Sequence, residues 1–232
     1  MPDPTADTRI TGRAAALRIP NLDTDQIMPK QFLRGIDKQG LAAGLLYDLR
    51  NDRQGHPRPD CVLNQPAYAG TSILLADANF GCGSSREHAV WGLLQYGIRA
   101  VIAPSYGEIF FGNAMNNRLL LVTLPQAQVE ALMAASEAPH AAPLTIDPAQ
   151  QRVTMGALSA DFDLMPLHRR MFLEGVDLVG LSMTYRERIE AFAAGQAAAQ
   201  PWLAEVVAKS LPPPRAGGDG VAGLRTRPGP RP

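Results

Sequence analysis

Short, continuous apolar runs alternate with segments of helical periodicity through the centre of the chain, which has 232 residues. The apolar runs have the length of buried strands and occupy residues 72–76, 100–103 and 119–124. Apolar positions at helical spacing follow each run, at residues 85–96, 106–117 and 125–136. Because strands alternate with helices, this pattern predicts an α/β domain with a parallel sheet.

The segments on either side of this centre are less regular. Residues 9–19 have a pattern that a strand could adopt, and the Asn and Asp side chains of 21–25 favour a loop. Pro29 argues against a long helix after that loop. The further elements predicted are a short helix at 41–49, a hairpin of 144–147 with 152–155, and helices at 167–174 and 185–199.

The chain is predicted to contain one folded domain with an extension at each end. Residues 1–8 are polar and are expected to be flexible, and residues 9–200 form the α/β domain. Residues 201–232 form a tail that is rich in proline and glycine from about residue 211. Such a composition buries little apolar area, so we expect disorder from that point on.

Charge and apolar content limit the classes of function. The chain has 22 basic and 22 acidic residues, and a net charge of zero provides no electrostatic attraction for nucleic acid. The first 20 residues contain no apolar stretch typical of a signal peptide. No window approaches the roughly 20 apolar residues of a membrane span. We therefore expect a soluble, cytoplasmic protein that binds neither nucleic acid nor membranes.

The chain contains two cysteines, Cys61 and Cys82, which form neither a CxxC pair nor a disulfide framework. Iron–sulfur clusters usually take three or four cysteine ligands, so two thiols are too few to hold one. Cys61 lies beside Val62 and Leu63 and is expected to be a buried, small apolar side chain.

The segment 79–88 carries the candidate chemistry. It follows a predicted strand, contains Gly81 and Gly83, and opens a predicted helix. Backbone N–H groups and the positive end of a helix dipole converge at such a turn. Arg86 adds a guanidinium fork that suits carboxylate or phosphate. The segment is therefore predicted to bind an anion.

Three interpretations of this segment stay open on physical grounds alone. In the first, Ser84 and Glu87 form a capping box, so that Ser84 only caps the helix and Arg86 is a surface charge. In the second, the loop cradles a phosphate, although it lacks the Gly-Lys-Ser/Thr ending of a P-loop and the dinucleotide fingerprint. In the third, Ser84 is a catalytic base or acid beside an anionic substrate, and the helix terminus and Arg86 stabilise its alkoxide.

Two neighbouring side chains could take part in the third interpretation. His88 lies one turn further along the helix and could tune proton transfer, but a single helical histidine is more often structural. Cys82 could act as a nucleophile, because thiols at helix starts are more reactive. Covalent cysteine catalysis usually needs a histidine and an orienting third group, and the sequence does not show that arrangement.

The residues Asn79–Ala89 closely resemble the active-site segment of the swivelling domain in the aconitase superfamily. The form with Asn-Phe-Gly-Cys-Gly is similar to the separate small subunits of the 3-isopropylmalate dehydratase family. Three further blocks agree with that family, at residues 21–33, 102–117 and 175–182. The resemblance covers roughly residues 9–200 and implies a swivelling β/β/α domain.

This resemblance implies a hydro-lyase reaction. A hydroxy-diacid loses water to a cis-alkene, and water then adds back with the hydroxyl group on the neighbouring carbon. By resemblance, Ser84 is the general base, Ser85 a support at the oxyanion side and Arg86 a clamp for a carboxylate. A [4Fe–4S] cluster supplies the Lewis acid. Because this chain lacks a cysteine set for the cluster, a separate large subunit is expected to carry it in a heterodimer.

The resemblance also implies a set of binding residues and a pathway, leucine biosynthesis. The residues implied in substrate binding are Asp25, Pro29, Lys30, Phe32, Leu33, Arg34 and Gly83. The residues implied in support of the site are Asn79, Gly81, Cys82 and His88. Phe32 and Leu33 could line an apolar pocket, while Lys30 or Arg34 could touch a carboxylate.

Other functions remain possible from the sequence. The reaction could instead be that of a related hydro-lyase acting on citramalate/citraconate or on dimethylmalate, because related subunits have similar loops at 28–34. RNA binding is another possible function, but the net charge of zero gives it no electrostatic support. A purely structural partner subunit would result if Ser84 only capped its helix.

Overall fold

The computed structural model of the chain describes residues 8–33 and 39–203. Arg34, residues 1–7 of the predicted flexible segment 1–8, and residues 204–232 of the predicted tail 201–232 lie outside the described residues. The part of the tail predicted to be disordered, from about residue 211, is among them. The strands are β1 Ile10–Leu17, β2 Thr71–Ala76, β3 Ala100–Ala103, β4 Leu120–Thr123, β5 Leu144–Asp147, β6 Arg152–Met155 and β7 Leu158–Asp161.

Eight α-helices occur in the described residues, together with short 3₁₀ turns. The helices are α1 Thr24–Ile27, α2 Tyr47–Arg50, α3 Glu87–Tyr96, α4 Glu108–Asn116, α5 Gln126–Ser136, α6 Pro166–Glu174, α7 Leu178–Met183 and α8 Arg186–Ala199. The 3₁₀ turns are Lys30–Phe32, Leu41–Gly44, Val62–Asn64, Pro66–Tyr68 and Pro201–Leu203. None of the helices in residues 8–33 and 39–203 is long and apolar enough to cross a membrane.

The seven strands form one sheet in the order β4-β3-β2-β1-β5-β6-β7. Strands β1 to β4 are parallel, whereas β5 pairs antiparallel with β1, and β6 and β7 continue as an antiparallel meander. The predicted parallel sheet and the predicted hairpin of β5 with β6 are therefore confirmed. Because β1, β2 and β3 are parallel, the segments that follow them leave the sheet at the same edge.

The core lies along the parallel half of the sheet. The side chains of Ile73, Leu74 and Leu75 in β2 and those of β3 are fully buried, as expected for parallel strands that read as continuous apolar runs. Helix α5 packs against β1, β2 and β3, and α3 packs against α4 and the turn Leu41–Gly44. Cys61 is half-buried against this core rather than fully buried.

The described chain divides into two compact units, with the boundary between Thr184 and Tyr185. The first unit contains the whole sheet. The second contains α8 and the turn Pro201–Leu203, and none of the residues of α8 is buried. The domain limits of 9–200 drawn from the sequence stay a prediction.

Candidate active site

Three segments meet at the carboxyl edge of the parallel strands. The loop after β2 bonds to the segment after β1, where the Gly81 amide donates to the Leu22 carbonyl at 2.7 Å. It also bonds to the segment after β3, where the Phe80 amide donates to the Ser105 carbonyl at 3.1 Å and the Gly107 amide to that of Phe80 at 2.9 Å. These bonds fix the candidate loop between two neighbouring loops of the sheet.

Gly81 and Gly107 permit the close approach of these loops. Gly81 is buried with φ of +74°, and a Cβ there would lie 2.3 Å from the ring of Phe110. A Cβ on Gly107 would lie 2.5 Å from the carbonyl oxygen of Gly81. Both positions therefore exclude larger residues. Gly83, implied in substrate binding, is exposed beside Asp23.

Ser84 and Ser85 lie on the surface of the described chain, where both are exposed. The Ser84 carbonyl accepts two hydrogen bonds, from the hydroxyl of Thr24 at 2.7 Å and from the amide of Arg86 at 2.8 Å. The second bond joins residues two apart, which makes a tight three-residue turn around Ser85. Neither serine is enclosed by the described residues, whereas catalytic groups usually work in sites that exclude water.

The predicted capping box of Ser84 with Glu87 is wrong. Helix α3 begins at Glu87, its N-cap is Arg86, and no side chain caps it. The tight turn around Ser85 keeps the chain out of helical geometry for two residues longer than the spacing indicated. A capping box exists instead at α1, where Asp23 accepts from the Gln26 amide and the Gln26 side chain accepts from the Asp23 amide.

Arg86 forms an ion pair with Asp25, which is on α1. The side chain of Arg86 is 24% exposed and that of Asp25 is 53% exposed. Nη1 of Arg86 is buried and, apart from this ion pair, has no hydrogen-bond partner in the described residues. The guanidinium group has further N–H donors, so the arrangement leaves capacity for a second anion.

The start of α3 is held by a hydrogen-bond network with the end of α4. The side-chain amide of Asn117 donates to the Glu87 carboxylate at 2.6 Å and accepts from the Trp91 indole at 3.0 Å. The ring of His88 packs on that of Trp91, with centroids 4.7 Å apart. This contact gives His88 a packing role in the described chain.

The supporting residues Asn79 and Cys82 bond to the segment after β1. The side-chain amide of Asn79 donates to Asn21 Oδ1 at 2.8 Å, and its backbone amide donates to the Ser105 hydroxyl at 2.9 Å. The Cys82 thiol lies 3.4 Å from the Asn21 carbonyl oxygen. Cys82 and Asp23 also form a parallel β-bridge. These contacts hold the loop rather than a ligand.

The segment after α1 contributes a mixture of exposed and buried side chains. Pro29 is buried and Lys30 is exposed. Phe32 and Leu33 are half-buried against the core, and the Phe32 ring lies 5.0 Å from that of Tyr47. Thus the structure brings Asp25 to the candidate loop, while Phe32 and Leu33 expose only part of their side chains.

A buried hydroxyl beneath the loop is structural. Tyr106 forms a parallel β-bridge with Phe80, and its Oη lies 2.7 Å from the Val122 carbonyl oxygen. Burial raises the pKa of Tyr106 well above its ordinary value. The phenol therefore stays neutral and ties the loop after β3 to the sheet.

No group of three or more His, Cys, Asp or Glu residues suited to a metal ion occurs in residues 8–33 and 39–203. Cys61 and Cys82 are both free thiols. Their number is too small for an iron–sulfur cluster. The residues of this chain therefore do not fit the cluster that the resemblance implies.

Sequence reasoning missed several residues that build the site. Thr24, Asn21, Ser105 and Gly107 all contact the candidate loop, but their partners lie far away in sequence. One signal was available, because each of these residues follows a predicted strand, and the carboxyl ends of parallel strands share an edge.

Comparisons with known proteins show the family to which the chain belongs. The aconitase C-terminal domain family matches residues 7–127. The chain is 58% identical over 202 residues to the 3-isopropylmalate dehydratase small subunit 1 of Chromobacterium violaceum, a match that covers 87% of this chain and 95% of that protein. It is 50% identical over 196 residues to the 3-isopropylmalate dehydratase small subunit of Rhodospirillum centenum, covering 84% and 97% of the two chains.

A solved structure is also similar. The crystal structure of 3-isopropylmalate dehydratase from Methanocaldococcus jannaschii matches with a TM-score of 0.57 and 26% identity, covering 80% of this chain and 99% of that one. The aconitase-type α/β fold expected from the sequence is confirmed. The chain belongs to the aconitase C-terminal domain family and, within it, to the small subunits of 3-isopropylmalate dehydratase.

Proposed function

We propose that this chain, paired with a large subunit, isomerises 2-isopropylmalate to 3-isopropylmalate in leucine biosynthesis. The observation that carries this proposal is the 58% identity to a 3-isopropylmalate dehydratase small subunit over 95% of that protein's length. The site supports it, because an exposed serine pair lies beside an arginine that can hold a carboxylate.

Ser84 is the proposed general base. Its ionised Oγ takes the proton from the carbon next to a substrate carboxylate; the C–H electron pair forms the alkene, and the hydroxyl group leaves the neighbouring carbon as hydroxide, which takes a proton from solvent to become water. In the return step a water gives its hydroxide to the carbon that lost its proton and its proton to solvent, and Ser84 gives its proton to the neighbouring carbon. Removal of that proton builds negative charge on the carboxylate, so nearby donors lower the barrier. The N–H groups at the start of α3 and the Arg86 cation favour the ionised serine. Ser85 supports the oxyanion side.

Arg86 is the proposed clamp for a substrate carboxylate. Asp25 already holds one side of the guanidinium group, so it orients the fork and partly neutralises it. The remaining N–H donors can form a second, bidentate contact. A diacid substrate would thus complete a cluster of one cation between two carboxylates.

The remaining binding residues follow from the resemblance. The exposed Lys30 is proposed to bind a second carboxylate of the substrate. The exposed parts of Phe32 and Leu33 are proposed to contact its isopropyl group. Pro29 shapes the turn before them, and Gly83 allows the substrate to approach the loop. Arg34 keeps its proposed carboxylate contact.

We propose that the large subunit carries the [4Fe–4S] cluster and covers residues 79–88, the candidate loop, which we call the serine loop. The whole chain has two cysteines, which do not fit such a cluster, so no step on this chain is assigned to it. The exposure of Ser84 and Ser85 supports a heterodimer in which the second subunit closes the site. The cytoplasm is the proposed compartment.

The test is to purify the chain with its large subunit, reconstitute the cluster and measure turnover. We expect conversion of 2-isopropylmalate by the complex and no turnover by the isolated small subunit, which should be colourless. Citramalate, citraconate and dimethylmalate are the comparison substrates. Efficient turnover of one of these without turnover of isopropylmalate would replace the proposed substrate.

A further inference from the structure

Two consecutive residues of α1 hold alternate residues of the serine loop. The Thr24 amide donates to the Cys82 carbonyl at 2.9 Å, and the Thr24 hydroxyl donates to the Ser84 carbonyl at 2.7 Å. Asp25 then pairs with Arg86. Thr24 itself is 1% exposed, so its hydroxyl is a buried donor directed at the proposed base.

The position of Ser84 depends on few contacts. The residues 83–85 are exposed and belong to no helix or strand. In the described residues, the Ser84 backbone is tied through its carbonyl, which accepts from Thr24 and from the Arg86 amide. The Arg86 bond is local and moves with the loop, whereas the Thr24 bond connects the loop to the body of the domain.

We propose that Thr24 is a positioning residue for Ser84, whose hydroxyl anchors the Ser84 carbonyl and so sets where Oγ stands for proton transfer. Thr24 does not touch the substrate and acts only through Ser84. The inference rests on the proposed role of Ser84 as the base. Small displacements of a reacting group lower rates strongly, so loss of the anchor reduces kcat more than it changes KM.

The substitution Thr24→Val separates the anchoring role of this threonine from its packing role. The Ser84 carbonyl belongs to an exposed residue and can bond to water when the anchor is removed. Valine has nearly the shape of threonine and fills the same buried space. Thr24→Val therefore removes the anchor and keeps the packing.

Thr71 offers a matched control at the other end of β2. It is 3% exposed, and its hydroxyl donates to the Tyr68 carbonyl at 2.7 Å, the same kind of bond at the same length. Thr71→Val removes a buried threonine hydroxyl without affecting the serine loop. Thr24→Ser keeps the hydroxyl at position 24 and serves as the rescue variant.

The experiment compares Thr24→Val, Thr24→Ser and Thr71→Val in the complex with the large subunit. We expect Thr24→Val to lower kcat roughly 10- to 100-fold with little change in KM, and Thr24→Ser to regain most of the rate. Hydrogen exchange of the full-length chain provides a readout that needs no turnover. Amides in residues 81–88 should exchange faster in Thr24→Val than in the parent chain. In Thr71→Val they should exchange at the same rate as in the parent chain.

Two results would overturn the inference. One is a Thr24→Val variant that matches Thr71→Val in both rate and exchange. The other is an equal loss of rate in both valine variants, which would mean a general loss of stability. Failure of the wild-type complex to convert isopropylmalate would instead count against the proposed function, and the exchange comparison would still decide whether Thr24 anchors the loop.

Discussion

The guanidinium group of Arg86 is paired with the carboxylate of Asp25, and this pair joins the serine loop to the short helix after β1. Nη1 of Arg86 is buried, so Asp25 offsets the cost of removing that charge from water. A substrate carboxylate would meet a guanidinium that is already oriented. The planar shape of the guanidinium group should therefore matter for carboxylate binding as well as its charge.

Arg86→Lys tests the fork, because lysine keeps the charge and loses the planar pair of donors. A hydrogen bond to a charged group contributes about 1.5–3 kcal/mol. We expect KM for isopropylmalate to rise roughly 10- to 100-fold, with a smaller effect on kcat. Steady-state kinetics of the complex measure both.

Arg152→Lys is the control for that substitution. Arg152 also forms an ion pair with an aspartate, Asp161, at 2.7 Å, but on the antiparallel strands β6 and β7. Exposed pairs of this kind contribute little to stability, so the kinetics should match those of the parent. An unchanged KM in Arg86→Lys would rule out a bidentate clamp.

Ser84→Ala tests the proposed base. General acid–base catalysis contributes about 10²- to 10⁴-fold, and we expect kcat to fall by that amount while KM stays near the parent value. Ser159→Ala, at an exposed position of β7, should retain full activity. A Ser84→Ala complex with near-parent kcat would end the assignment of Ser84 as the base.

Gly81→Ala tests the packing beneath the loop. An alanine at φ of +74° is strained by about 1–2 kcal/mol, and contact with Phe110 adds overpacking of about 1–3 kcal/mol. Gly70→Ala is matched, because Gly70 has the same φ of +74° and a Cβ added there would meet no atom within 4 Å. The free energy of unfolding of the full chain should fall further in Gly81→Ala, and equal losses would refute the contact.

His168 predicts a pH dependence of stability. Burial lowers the pKa of His168 on α6, where its ring lies 5.5 Å from that of Phe111. The unfolded chain therefore binds the proton more readily, and stability falls as the pH drops below the unfolded-state pKa of about 6.5. Denaturant unfolding between pH 7 and pH 5 should show a smaller decline for His168→Gln.

His140→Asn is the control for the histidine, because His140 is exposed and asparagine tolerates its φ of +59°. This variant should decline with falling pH as the parent does. A parent and a His168→Gln variant with the same decline would show that burial of this ring does not contribute.

The elements of the fold that the sequence predicts are those whose pattern lies within one segment of the chain. Strands β2 and β3 are continuous apolar runs, and helices α3, α4 and α5 have apolar positions at helical spacing, so each pattern lies within one segment. Strand β7 was not predicted, since it has only four residues and one of them is buried. Its formation depends on pairing with β6.

The candidate site was predictable only in part. The motif indicated Ser84 and Arg86, but the partners Thr24 and Asp25 lie about 60 positions earlier and depend on the sheet. Asp23 and Gln26 have capping-box spacing too, yet the abundance of Asn and Asp around them favoured a loop. Ser84 and Glu87 have similar spacing and form no box, so spacing alone did not distinguish the two cases.

The alternation of contacts from α1 to the loop has a consequence for insertions and deletions. The carbonyls of Cys82 and Ser84 accept hydrogen bonds from Thr24, and Arg86 pairs with Asp25. Because these three contacts fix the loop against α1 in one register, one added or lost residue shifts each contact to a neighbouring residue. Ser85 would then occupy the anchored position of Ser84, and Arg86 would lose its partner. This stretch should therefore tolerate no change in length.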